Sequence, residues 1–329
     1  MDVSIIVPCF NEEKNIGDCL KSLVSLNYQY GSREIIVVDG GSNDHTQSII
    51  RDLQRIHEKI ILVVEPKKGV AAGRNAGVKT AKYDYVALID ADCEAPSNWL
   101  TILVKNYLKI TKINDKVIAV GGANNPPANS SKFLKAIGVA LDSYFGSFSS
   151  PQGRQFKVNR YVASLASLNV LYKKRAIVDI GYYDESLFSE AEDADLNYRL
   201  SLSGCKLIFI PESFVLHKLR PTPKTWLTNM FRYGKGRARL LKRYPGMWQL
   251  NFTLPILFIL AMVSVIFSPA NKIFLLPLLY FLIIMLFSFS VCFKRRNLSI
   301  VFYVMAVYVV QHFGYAIGEV YGLLNPRVK

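Results

Sequence analysis

The strongest constraint on this chain lies in its last third. Three long apolar runs, 252–268, 273–293 and 298–317, follow one another there, and Glu319 is the single acid after Glu212. A helix needs about 20 apolar residues to cross the hydrocarbon core of a bilayer, so a membrane domain over 251–329 with about three transmembrane helices is expected. The first run is the shortest and contains Pro255, and the third carries Gln311 and His312, so either is also compatible with a tilted or interfacial element. Lys294, Arg295 and Arg296 separate the second and third runs. Short loops rich in Lys and Arg resist translocation, so this loop should stay in the cytoplasm. Two preceding crossings would return the N-terminal part to the same side. The expectation is a multi-pass protein of the cell membrane with a cytoplasmic catalytic domain. The opening MDVSIIVPCF lacks the basic start and the apolar length of a signal peptide.

Charge divides the chain at the same place. Through Glu212 there are 25 Lys and Arg against 24 Asp and Glu, so most of the net charge of +15 sits beyond it. Nine basic residues and no acid lie between Lys218 and Arg243, directly before the first apolar run. Nucleic acid is one partner for such a stretch. Beside an apolar run, an anionic membrane surface or a lipid phosphate explains it with fewer assumptions. The segment 221–250 is therefore read as a basic amphipathic juxtamembrane element, with the membrane as partner and no nucleic acid. Cys9, Cys19, Cys93, Cys205 and Cys292 form no CxxC pair, which argues against a zinc site or disulfide frame and fits reduced cytoplasmic thiols.

Residues 1–220 alternate short β-rich runs with helix-like segments. VSIIVPCF, EIIVVDGG, KIILVVEP, YVALIDAD and KVIAVGGA have the length and Val/Ile content of strands. Between them EEKNIGDCLKSLVSL, NDHTQSIIRDLQRI, VAAGRNAGVKTA and SNWLTILVKNYLKI space apolar residues by three and four. This predicts an α/β domain with a largely parallel sheet. Asp44 or Ser42 should start the second helix and Ser97 the fourth. The irregular stretch 124–161 predicts loops with a helix around 132–148, placed as a flap over the site. A second block follows, with a strand near 167–172, a short helix at 174–179, an acidic helix in SEAEDADLNYRLSLSG and a strand in CKLIFIPES.

Ligands of such sheets collect at the carboxyl ends of the strands, where this chain places Asn11 and Glu12, Asp39, Lys67 and Lys68, and Asp90 and Asp92. In an extended chain, Asp90 and Asp92 face the same side, and their repulsion calls for a positive partner. Mg2+ or Mn2+ would supply it and keep positions open for phosphate oxygens; an ordinary acidic turn before Pro96 is the alternative. Asp39 fits a nucleoside hydrogen-bond acceptor and, before Gly40–Gly41, equally a turn residue. Glu192, Asp193 and Asp195 open a helix, where acids also serve as dipole caps. Asp195 and Arg199, four apart, read as a structural ion pair.

SIIVPCFNEEKNI, IIVVDGGSNDHT, GVAAGRNAGVKTA, YVALIDADC and AEDADLNYRL, in this order, resemble the family 2 glycosyltransferases of GT-A (Rossmann-like) fold over roughly Val3 to Tyr244. The resemblance implies hexosyl transfer from a nucleotide diphosphate donor, a UDP- or GDP-sugar, with Mg2+ or Mn2+ on the diphosphate. It places Pro8, Asn11 and Glu12 in the nucleotide pocket, Asp39 on the base, and Arg74 and Asn75 near the donor; Lys68, at the same sheet edge, is read as nucleotide-sugar-binding with them. Asp90 would contact ribose or metal, Asp92 the metal, and His217 would be a third ligand. Asp193 would be the general base, and a single base suits direct displacement with inversion. Arg232, Tyr233 and Arg237 would hold the leaving diphosphate or a lipid phosphate, unless they only touch headgroups. The acceptor is expected to be lipid-linked, a polyprenyl phosphate or a saccharide carried on one. In two places the chain departs from the family pattern. Asp39 is followed by Gly40 instead of a second Asp, and FRYGKGR replaces the Gln-x-x-Arg-Trp signature of processive polysaccharide synthases. That absence, with only three apolar runs, speaks against processive synthesis. A non-catalytic nucleotide-sugar-binding assembly subunit is the other alternative.

Overall fold

The computed structural model describes residues 1–329 apart from 148–149, 152, 155, 188, 219–221 and 326–329. The chain forms two units, Met1–Pro127 with Ser150–Lys218, and Ala128–Ser149 with Leu219–Lys329.

In the first unit β1 Val3–Cys9, α1 Ile16–Val24, β2 Arg33–Asp39, α2 Thr46–Ile56, β3 Ile60–Val64, α3 Val70–Thr80 and β4 Tyr85–Leu88 follow the expected alternation. Then come β5 Cys93–Glu94, α4 Trp99–Thr111 and β6 Val117–Asn125, after which the chain leaves for the second unit through α5 Lys132–Leu141 and α6 Tyr144–Ser147. It returns as β7 Arg160–Val162, β8 Val170–Lys173, α7 Lys174–Asp179, α8 Glu192–Leu202 and β9 Lys206–His217. The sheet order is β3-β2-β1-β4-β8-β6-β9-β5, with β7 on β9. Strand β1 is buried at every position, as a strand covered on both faces must be. Its alternate residues feed two cores: Ile5 and Val7 pack in the cluster of Leu20, Trp99 and Leu103, while Ile6 packs in that of Leu88, Tyr172 and Phe209.

The sheet is mixed, where a largely parallel one was expected. Strands β3, β2, β1 and β4 are parallel, but β8 runs antiparallel to both β4 and β6, and β5 and β7 run antiparallel to β9. Apolar content marks a strand without marking its direction, and β5 and β7 are too short to carry a pattern. Helix starts also differ in detail. The N-cap of α2 is His45, with Asp44 Oδ1 accepting from Thr46 N at 3.0 Å, and Asn98 rather than Ser97 caps α4.

The second unit consists of α5, α6, α9 Pro223–Arg243, α10 Leu250–Ser264, α11 Leu279–Lys294 and α12 Val301–Leu324. Thr222 and Thr225 form a reciprocal cap at the start of α9 and Pro223 occupies its first turn, which fixes where the basic helix begins. Three segments are long and apolar enough to cross a membrane: Leu250–Phe267, Lys272–Lys294 and Leu298–Leu324, with mean hydropathy 2.4, 2.5 and 1.7.

The flap expected around 132–148 is instead part of this helical core. Phe133, Ala136, Ile137 and Ala140, spaced by three and four, are buried with Ile284, Val304, Val307 and Tyr308. Such a face must be covered by apolar partners, and α11 and α12 supply them. The helix also breaks at Asp142–Ser143; Phe148 lies outside the described residues. The expected 1–220 domain is therefore interrupted by an insertion that belongs to the other unit.

Helices α9 and α12 run side by side in the same direction, because a Cβ at Gly314 would meet Met230, one at Gly318 would meet Phe231, and one at Gly322 would meet Ala238. The approach is close enough that a Cβ at Gly318 would lie 2.0 Å from the Phe231 carbonyl oxygen, and one at Gly234 2.0 Å from that of Tyr315. Gly318→Ala should force the two backbones apart and cost about 1–3 kcal/mol, read as a lowered unfolding midpoint of the detergent-solubilised full chain.

Candidate active site

The loops after β1 and β2 are tied together. Asn11, in the left-handed region at φ 54°, donates its N–H to Ser42 Oγ at 2.8 Å and accepts from Asn43 N at 3.0 Å. Glu12 N–H donates to Thr46 Oγ1 at 2.8 Å. Asp39, fully buried, accepts from Gly41 N at 3.1 Å, Ser42 N at 2.9 Å, Gln47 Nε2 at 2.7 Å and the Ser42 hydroxyl. Its carboxylate thus shapes the loop from Gly40 to Gln47, the turn-forming role left open by its sequence context. Pro8 is buried in β1, and Lys68 is exposed between β3 and α3.

Helix α3 contributes the central cation. Arg74 is buried, with Nη2 3.0 Å from Asp90 Oδ1, Nη1 2.5 Å from Glu192 Oε1, and Cζ 5.6 Å from the centre of the Tyr183 ring. Burial alone would pull the guanidinium down; Asp90 and Glu192 outweigh it and hold the proton firmly. The neighbouring Asn75 donates to Tyr183 O at 2.9 Å and Glu185 Oε1 at 2.8 Å, and accepts from Tyr183 N at 2.9 Å. Lys67 pairs with Glu185, and these two partners hold the Glu185 carboxyl below its usual range. One turn of α3 therefore fixes both the loop after β4 and the approach to α8.

Strand β4 ends at Leu88, and Asp90 to Cys93 form a turn closed by Cys93 N–H on Asp90 O at 3.0 Å. The extended geometry expected for Asp90 and Asp92 is not what the chain adopts. Asp90 goes to Arg74, whereas Asp92 Oδ2 lies 3.1 Å from His217 Nε2. Among the described residues, the group able to hold a metal ion is Asp92, Cys93 and His217, without Asp90. Burial pushes the Cys93 thiol well above its ordinary value, which leaves a neutral sulfur unsuited to a hard cation.

Asp92 and His217 do fit one. Asn124 Nδ2 lies 3.1 Å from His217 Nδ1, while Asn124 Oδ1 is buried without a hydrogen-bond partner. Asn124 Nδ2 on Nδ1 and Asp92 Oδ2 on Nε2 thus orient the ring. Neighbouring ligands on an octahedral ion at about 2.1 Å stand about 3.0 Å apart, close to the separation observed.

Asp193 sits half-buried in the first turn of α8, and its charge reaches Arg74. Ala191 before it adopts φ 66°, an uncommon conformation for alanine, and turns Glu192 into contact with Arg74. Burial, reinforced by Asp193 and opposed by Arg74, pushes Glu192 up to about 7. Asp195 and Arg199 form the expected ion pair at 2.7 Å, and Arg199 also donates to the carbonyls of Ile180 and Tyr182. On α9, Arg232 and Tyr233 are exposed. Arg237 is instead committed to packing, bonded to Tyr315, 4.5 Å from the centre of the Phe252 ring and facing the charge of Glu319. Sequence reasoning saw Glu192 only as a member of the acidic cluster and missed Asn124 and Glu185. The first stood beside the residue it singled out, whereas the other two had no signal.

Removing Arg74 as Ala leaves Asp90 and Glu192 without their cation and should cost about 3–5 kcal/mol at pH 7. Glu192 keeps its proton in the folded protein up to about 7, against an ordinary value of 4.5, so stability should fall as pH rises through that window. Glu192→Gln should flatten this slope in denaturant titrations run across it.

The signature of Glycosyl transferase family 2 matches residues 4–180. A poly-beta-1,6-N-acetyl-D-glucosamine synthase of Staphylococcus epidermidis is 27% identical over 241 residues, covering 73% of this chain and 56% of that protein. The enzyme of the same name from Staphylococcus aureus is 28% identical over 209 residues, covering 64% and 48%. The chain spans about half the length of these curated relatives. Among solved structures, S. aureus TarS 1–349 superposes with a TM-score of 0.51 at 17% identity, covering 98% of this chain and 91% of that one. GalNAc-T7 with UDP, GalNAc and Mn2+ gives 0.52 at 17% identity, covering 72% and 47%. The chain belongs to glycosyl transferase family 2: it is a glycosyltransferase of GT-A fold followed by apolar helices of membrane-spanning length.

Proposed function

We propose that the protein is a membrane-bound, metal-dependent, inverting glycosyltransferase that moves a hexosyl group from a UDP- or GDP-sugar to a lipid-linked acceptor at the cytoplasmic face. The observation that carries this reading is the contact Arg74 makes with both Asp90 and Glu192, since it joins the carboxylates of the donor end to the helix turn bearing Asp193. In this mechanism the acceptor hydroxyl oxygen attacks the anomeric carbon while Asp193 accepts its proton, and the bond from that carbon to the diphosphate breaks on the opposite side. Asp92 and His217 would hold Mg2+ or Mn2+, which when bound offsets charge on the diphosphate. The ends of β1 and β2 and the loops after them, carrying Pro8, Asn11, Glu12 and Asp39, form the nucleotide pocket. Asp39 acts there by holding the loop in shape, and Lys68 and Arg74 add positive charge near the donor. A binding-only assembly subunit would have no use for Asp193.

The polysaccharide synthases among the relatives favour a second reading of the acceptor, a growing glycan, and make an N-acetylglucosamine donor the first to test. Product length separates the two readings: single additions support the lipid-linked acceptor, and long products from one donor support polymer synthesis.

Detergent-solubilised full chain should transfer sugar with Mn2+ and stop with EDTA. Asp193→Asn should keep donor binding, read as a thermal shift, and lose about 10²–10⁴ in rate. Retention of the parental rate would remove Asp193 as the base. Asp92→Asn and His217→Ala should each lose the response to Mn2+.

A further inference from the structure

We infer that Lys218 is a positioning residue for the candidate metal site: its ammonium clips the end of β9 to α1 and β5, and so fixes His217 against Asp92. This rests on the assignment of Mg2+ or Mn2+ to Asp92 and His217 made above.

Two ligands drawn from separate elements hold an ion only as well as their spacing is kept. Asp92 lies in the turn after β4, and His217, the last residue of β9, comes 125 positions later. What joins them is β5, a strand of two residues, with Cys93 opposite His217 and Glu94 opposite Leu216. So short a ladder at a strand terminus opens readily unless further contacts hold it.

Lys218 supplies such contacts in two ways. Its main-chain N–H donates to the Asp92 carbonyl at 3.0 Å, which lengthens the ladder by one bond. Its Nζ lies 3.0 Å from Asp18 Oδ2 and 3.3 Å from Glu94 Oε1. Asp18 belongs to α1 and Glu94 to β5, so one ammonium joins three elements around the two ligands.

Helix α1 is itself built against this turn. Cys19 Sγ donates to the Asp90 carbonyl at 3.7 Å, and Ser22 Oγ accepts from Ala95 N at 3.0 Å. Ser22 stands four residues after Asp18 and three after Cys19, which puts all three on one face of the helix. The segment from Asp90 to Ala95 is therefore held at both ends by α1, and the Lys218 side chain carries that frame over to the end of β9. The other use of a lysine at such a place is direct contact with the donor diphosphate. Here the ammonium already faces two carboxylates, which favours the positioning role.

The two effects of Lys218 on a cation have opposite signs. Its charge repels the ion, whereas its hold on His217 favours binding.

Mn2+ uptake by the detergent-solubilised full chain, followed as loss of the free-ion EPR signal, tests the inference with Mn2+ alone and again with UDP or GDP present. Lys218→Met should weaken Mn2+ binding by about 10–100-fold, the range found for residues that orient metal ligands. Its unfolding midpoint without metal should stay parental, because an ion pair open to solvent adds little stability. Lys218→Arg should bind as the parent does. Should Lys218→Met unfold early, Asp18→Asn takes its place at high ionic strength, where the lost charge is screened, and should weaken Mn2+ binding as well. Parental or tighter Mn2+ binding by Lys218→Met overturns the inference, as does parental binding by Asp18→Asn. Weakened nucleotide binding by Lys218→Met without metal also overturns it, since that marks a direct phosphate contact. A parent chain that takes up no Mn2+ under any of these conditions removes the metal reading itself, and the inference with it.

Discussion

A buried guanidinium cannot be left without partners, and this constraint at Arg74 organises the catalytic unit. Desolvating one cation is costly enough that the fold must deliver carboxylates to it, and it does so from two places remote in sequence, Asp90 after β4 and Glu192 at the start of α8. Bringing Arg74 to that point requires α3 to lie close on the sheet. A Cβ at Gly77 would stand 2.3 Å from Ile6 Cγ2, so the small residues of VAAGRNAG permit the approach that the guanidinium needs. Asn75 adds directional bonds to Tyr183 and Glu185. The same helical turn that holds Asp90 thus sets where α8 begins, and with it where Asp193 sits.

The two aspartates after β4 show why local pattern can identify residues and still misplace their partners. An extended reading makes them a pair sharing one counter-ion. The turn at Asp90 to Cys93 separates them, and each finds its own relief, Asp90 in Arg74 and Asp92 in His217. The consequence is a division of labour. Asp90 shares Arg74 with Glu192, while Asp92 stands beside His217 and apart from that guanidinium.

Much of this was readable in the residues. Strands β1, β2, β3, β4 and β6 stand where Val and Ile cluster, and α1, α2, α3 and α4 where apolar residues recur by three and four, because each buries a regular face. What escaped has a common cause, dependence on partners distant in sequence. The direction of β8 is set by the strands it joins, and β5 and β7 exist because β9 offers an edge. The face of α5 that covers α12 looks, in isolation, like any amphipathic helix. His217 was noticed, but Asn124, which completes its surroundings, sits 93 positions away and carries no local mark.

The helical unit follows from a similar argument about what a polar group can tolerate. Helix α12 is apolar enough to be counted as a span, yet its buried face contains Gln311 and Glu319 as well as glycines. Those residues make sense only against neighbours that supply polar atoms and close backbone approach, and α6 and α9 supply both. On α9, Arg232 and Tyr233 are exposed, while Arg237, turned inward to Tyr315, ties α9 to α12.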